Sequence, residues 1–131
     1  KFTMDIITLD TDILIGSHSK DQTSDSNAIK QLIQDQYDWL EQQLENSKQK
    51  KTNYVVVMGH HPIYSVGYHG NTRISPKFRE SDDKKYLLDT VLPLLEKYDI
   101  PIYLCGHDHN MQVIDSQYQS KNTEKKPKKI F

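Results

Sequence analysis

Five of the six histidines fall in two short runs, Gly59-His60-His61-Pro62 with His69 close behind, and Gly106-His107-Asp108-His109-Asn110. Neutral imidazole is the usual nitrogen ligand for zinc, iron or copper, and carboxylates and amides add harder oxygen donors suited to iron or manganese. Two such runs presented on one rim could form a metal site. His107 and His109 make an H-x-H pair placed by a glycine, and their spacing alone makes both candidate metal ligands. His60 and His61 are neighbours, expected to point in different directions, so that one of them at most serves the same ion; the pattern favours neither. His69 stands open between surface and site. Asp108 is open among ligand, imidazole-orienting partner and capping residue. Cys105, at the end of an apolar run, reads as a small buried hydrophobe rather than a nucleophile. His18 sits in a polar stretch and takes no role.

Each histidine run directly follows the pattern of a buried strand. Residues 54–58 (YVVVM) are continuously apolar and β-branched, ending at Gly59, and residues 100–104 end at Cys105-Gly106. Upstream, Met4–Leu9 predicts another buried strand, with a second short one at 13–15 after Asp10-Thr11-Asp12. Over residues 28–47, Ile29, Leu32, Ile33, Tyr37, Leu40 and Leu44 recur at spacings of three and four, which predicts one apolar face of a helix; Ser24, Asp25 and Ser26 offer N-caps. A second helix is expected over about 84–98, faced by Leu87, Leu88, Val91, Leu92, Leu94 and Leu95 and kinked or restarted at Pro93. Residues 16–27 and 59–83 read as loops, the second long enough to suggest function, and 111–114 is expected to continue the sheet. Strands alternating with helices predict an α/β fold with parallel crossovers. Ligands of such sheets sit beyond the carboxyl ends of strands, where both histidine runs lie.

The chain has 131 residues, the length of one domain. At 35% hydrophobic residues it falls below the roughly 45–50% apolar content of ordinary globular chains. Its 17 basic and 18 acidic residues balance to −1, which argues against a nucleic-acid partner. The balance is uneven: five lysines against one glutamate fall in 121–131, so a basic tail follows an acidic body. Residues 1–116 read as a domain portion and 117–131 as a lysine-rich polar tail or an insertion before a further strand. No apolar run approaches the roughly 18–20 residues of a membrane span. One cysteine leaves no internal disulfide.

GHHPIYSVGYHG at 59–70 together with YLCGHDHNMQ at 103–112 resembles the C-terminal part of the calcineurin-like metallophosphoesterases, and within them the purple, tartrate-resistant acid phosphatases. Asp10-Thr11 after the first strand and Gln36-Tyr37-Asp38-Trp39-Leu40 are similar as well. The resemblance implies a dinuclear centre of Fe(III) with Fe(II), zinc or manganese. His60 and His107 would ligate one ion and His109 the second, while His69 would lie near the leaving group as general acid or phosphate contact. The implied activity is hydrolysis of a phosphate monoester, and the implied parent fold is a four-layer αββα sandwich. The family's D-x-G, GD-x-x-Y and GNH ligand motifs are absent from the 131 residues. The chain is therefore expected to be the C-terminal portion of a longer parent, with little activity by itself and a core whose second sheet lies elsewhere. The alternatives are a metal-dependent phosphodiesterase or nucleotide hydrolase, and a non-catalytic membrane-associated scaffold of the same fold. The resemblance suggests a secreted or lysosomal/vacuolar location.

Overall fold

The computed structural model describes residues 1–15, 26–67, 86–116 and 129–130. Strand β1 (Met4–Leu9) leads into a short helix α1 (Thr11–Leu14), and the long helix α2 (Ser26–Gln49) returns to β2 (Tyr54–Gly59). A π-helical turn (Leu87–Val91) runs into α3 (Leu92–Lys97), followed by β3 (Ile102–Leu104), β4 (Asp115–Ser116) and β5 (Lys129–Ile130). The sheet order is β1-β2-β3-β5-β4; β1, β2, β3 and β5 pair in parallel and only β4 is antiparallel. This is the predicted α/β architecture with a parallel sheet.

Alternation along the strands divides the sheet into two unlike faces. Ile7, Val57 and Tyr103 lie side by side in register and are buried beneath Leu40 and Leu44 of α2, Leu87 and Val91 of the π turn, and Leu94 and Leu95 of α3. Each such side chain contributes about 1.5–3 kcal/mol by leaving water. The opposite face is apolar yet uncovered by described residues: Ile6 is 61% and Leu104 51% exposed, with Met4 and Met58 beside them.

Both long connections end in the same device. After α2, the N–H of Lys51 bonds to the carbonyl of Lys48 and that of Thr52 to Ser47, with Lys51 at φ 55°. After α3, the N–H of Asp99 bonds to Glu96 and that of Ile100 to Leu95, with Asp99 at φ 54°. These are Schellman closures with non-glycine residues in the left-handed position. They turn the chain directly into β2 and β3.

Several expectations change on folding. Residues 13–15 do not form a strand, because the Asp10 carboxylate accepts the N–H groups of Asp12 and Ile13 at 3.1 and 3.2 Å and caps α1. Leu32 is exposed although it lies on the apolar stripe. Helix α2 lies antiparallel over β1, with Ser47 against Asp5 and Gln36 against Asp10, so the residues before Gln36 run past the strand's end. Pro93 occupies the first turn of α3, where its missing N–H costs nothing, and the restart expected there takes the form of the π turn preceding α3. Residues 111–114 carry no strand; Gln112 is committed to side-chain bonds with Ser65 and Asn110, and pairing begins at Asp115. Ser24, Asp25, His18, His69 and residues 117–128 lie outside the described residues.

Candidate metal centre

The parallel strands end on one rim, with Leu9 opposite Gly59 and Met58 opposite Leu104. Thr11, His60, His61 and His107 follow within a few residues of those ends. Gly59 is required there: a Cβ would come within 2.5 Å of the Thr11 methyl and 2.7 Å of the Tyr103 oxygen. The two histidine loops are tied through the backbone, Gly106 N–H donating to the His60 carbonyl at 3.0 Å.

His107 adopts φ 71°, a left-handed conformation that costs a residue with a side chain roughly 1–2 kcal/mol. Its ring lies 5.0 Å from that of His60 and 4.5 Å from that of His61, centroid to centroid. Nε2 of His60 and Nδ1 of His107 are 3.1 Å apart. One ring nitrogen from each of His60, His61 and His107 falls within 4.8 Å of the others. The fold thus brings together two of the expected ligands, His60 and His107. It also turns both adjacent histidines toward one point, contrary to the expectation that they diverge. The cause is local: beyond Gly59 the backbone bends out of strand geometry, so strand alternation no longer applies. His109 is exposed and stands outside this group.

The donor set fits a cation. Four-coordinate zinc with bonds of about 2.0–2.1 Å places its donors roughly 3.3 Å apart, close to the His60–His107 separation. No carboxylate joins the three histidines among the described residues, so this cluster supplies nitrogen donors only.

A polar network fixes the loops that carry these rings. The buried Ser65 hydroxyl donates to the buried Asp108 carboxylate, Gln112 donates to Ser65 Oγ at 2.8 Å, and the N–H groups of Gly67 and Val66 bond to Ser65 and Gln112 at 2.9 Å. Asp108 is therefore a tie between loops. On the other side, Thr11 Oγ1 accepts the His61 N–H at 3.0 Å and lies 2.8 Å from His61 Nδ1, while the Tyr103 hydroxyl donates to the His61 carbonyl at 2.8 Å. Burial pushes the Tyr103 phenol well up, so it stays protonated as that donor. Gln36 clasps the Asp10 backbone, accepting its N–H at 2.7 Å and donating to its carbonyl at 2.9 Å. Cys105 is exposed, against the buried position expected of it; partial desolvation and then the Asp108 carboxylate push its thiol up, which disfavours a thiolate nucleophile. Thr11, Ser65, Tyr103 and Gln112 were given no role from sequence. Each acts through a partner 42 to 50 positions away, and no local pattern marks such pairs.

Comparison with known proteins places the chain in a family. The family model for calcineurin-like phosphoesterases matches residues 4–111, and the chain belongs to that family. It is 36% identical over 118 residues to tartrate-resistant acid phosphatase type 5 of Rattus norvegicus, covering 88% of this chain and 31% of that protein. It is 34% identical over 86 residues to glideosome-associated protein 50 of Plasmodium falciparum, covering 66% of this chain and 18% of that protein. With purple acid phosphatase 17 of Arabidopsis thaliana it shares 33% identity over 89 residues, 68% of this chain and 21% of that protein. The chain thus spans less than a third of the length of these relatives.

Proposed function

We propose that the protein carrying this chain hydrolyses phosphate monoesters with a dinuclear metal centre, as an acid phosphatase. The observation that carries the reading is the 3.1 Å approach of His60 Nε2 to His107 Nδ1 at the ends of two parallel strands, in a chain of the phosphoesterase family. His60 and His107 hold one ion and His109 the second, the pair being Fe(III) with Fe(II), zinc or manganese. Such ions, when bound, polarise the phosphoester and supply an ionised nucleophile. The chain's own contribution is placement: the Gly106–His60 backbone bond and the Ser65–Asp108 tie keep the two imidazoles converged without substrate. His69 protonates the departing alcohol, a role that suits an acidic working pH. The uncovered apolar face around Ile6 and Leu104 supports a second sheet packed there in the full-length protein, and the acid phosphatase likeness supports a secreted or lysosomal/vacuolar location.

In the full-length protein, His107→Ala is expected to remove most bound metal together with p-nitrophenyl phosphate hydrolysis. Metal content unchanged by that substitution would reject the ligand assignment.

A second reading, a non-catalytic scaffold, is favoured by the similarity to a glideosome-associated protein. No helix among the described residues is long and apolar enough to cross a membrane. A full-length protein that takes up no metal and hydrolyses no phosphoester would select this reading.

A further inference from the structure

Thr11 is 1% exposed, so its hydroxyl proton needs an acceptor within the protein. The hydroxyl oxygen accepts the His61 backbone N–H at 3.0 Å, and its other hydrogen-bond neighbour among the described residues is Nδ1 of His61 at 2.8 Å. If Nδ1 carried the ring proton, the hydroxyl would face donors on both sides and its own proton would have no acceptor there. If Thr11 donates to Nδ1, the hydroxyl proton and the Nδ1 lone pair satisfy each other. A neutral imidazole that accepts at Nδ1 carries its proton at Nε2. The backbone of the same residue is held at both ends, at its N–H by Thr11 and at its carbonyl by Tyr103. The ring so fixed stands 4.5 Å from the His107 ring and 4.9 Å from the His60 ring, centroid to centroid.

We propose that His61 is an Nε2–H hydrogen-bond donor to a phosphoryl oxygen of the substrate beside the His60–His107 ion, and not a third metal ligand. Coordination through Nε2 needs the lone pair that this tautomer denies. A fixed N–H next to a cation is where developing negative charge on a transferred phosphoryl group is met. Thr11 is the positioning residue that selects the tautomer. The identity of the acceptor rests on the phosphoesterase reading; the tautomer does not.

Long-range proton–nitrogen spectra of the metal-free, nitrogen-15-labelled full chain read the tautomer directly. The expected result is a single Nε2–H form of His61 in the wild type and in Thr11→Ser, and loss of that preference in Thr11→Val, with the backbone spectrum confirming that each variant is folded. An Nδ1–H form in the wild type overturns the proposal. With zinc added, inorganic phosphate titrated into the full-length protein is expected to bind about ten- to a hundredfold more weakly to His61→Phe. His61→Gln, whose amide nitrogen can stand near the Nε2 position, is expected to recover most of that loss, and zinc affinity to stay within about threefold in both variants. A loss of zinc affinity of about tenfold or more in His61→Gln would make His61 a ligand and end the donor assignment. Failure of the zinc-loaded full-length wild type to bind phosphate would overturn the phosphoesterase reading instead, leaving the tautomer result to stand or fall on the spectra.

Discussion

Ser65 and Asp108, 43 positions apart, are both buried and are joined by a direct hydroxyl–carboxylate hydrogen bond. That bond locks the loop after β2 to the loop after β3, and so fixes the distance between His60 and His107. Gly67 leaves the room it needs, since a Cβ there would approach the Asp108 carboxyl carbon to 2.5 Å. Gly67→Ala is expected to destabilise the chain by about 1–3 kcal/mol, measured by urea unfolding, because Asp108 is too enclosed to yield. An unchanged midpoint would mean that the loops are not locked.

The left-handed backbone of His107 reverses the usual ranking of small substitutions. At most positions glycine is less stable than alanine; here His107→Gly is expected to be more stable than His107→Ala by about 1 kcal/mol, while both lose metal binding. Comparing the two unfolding midpoints checks it, and the opposite order would show that the backbone at 107 is not left-handed in solution.

The same physics applies at the two Schellman closures. Lys51→Gly and Asp99→Gly, at φ 55° and 54°, are each expected to raise stability by about 0.5–1 kcal/mol. Lys48→Gly, inside α2, serves as the control and is expected to lower it by about 1 kcal/mol. Destabilisation by all three would reject the assignment of the helix ends.

Acid sensitivity should be traceable to Asp5. Its carboxylate accepts from Ser47 Oγ at 2.6 Å and Thr52 Oγ1 at 2.9 Å, and these bonds, Ser47 first, hold it below its ordinary value of 3.8. A carboxylate depressed in the folded state contributes stability that is present above its unfolded pKa and is lost as pH falls through the folded one. The urea midpoint of the wild type is therefore expected to fall more steeply than that of Asp5→Asn between about pH 5 and about pH 2. Parallel profiles would show that Asp5 carries none of the acid response.

Three imidazoles cannot offset the charge of two adjacent cations. The 131-residue chain with added iron and zinc is accordingly expected to hydrolyse almost no p-nitrophenyl phosphate at acid pH. Turnover at about 1–10³ s⁻¹, the range of ordinary enzymes, would contradict it.

The sequence by itself determined the first three strands, the long helix and the family. Parallel strands are written as a largely apolar, β-branched stretch at 4–9 and a continuous apolar run at 54–58, and α2 as a stripe of period near 3.6; these patterns are local and survive without knowledge of the partner. The two histidine runs were legible for the same reason, each being contiguous and following such a strand. Other features depended on tertiary contacts. Residues 13–15 are apolar enough for a strand, but a single cap at Asp10 made them helical. Both helix ends lacked the glycine that would have announced them. The convergence of His61 with His60 and His107, its fixing by Thr11 and Tyr103, and the Ser65–Asp108 tie join residues more than 40 positions apart. Hydrogen bonds of that kind depend on where three strand ends meet in the sheet, and only the folded register puts Thr11, His60 and His107 on one rim.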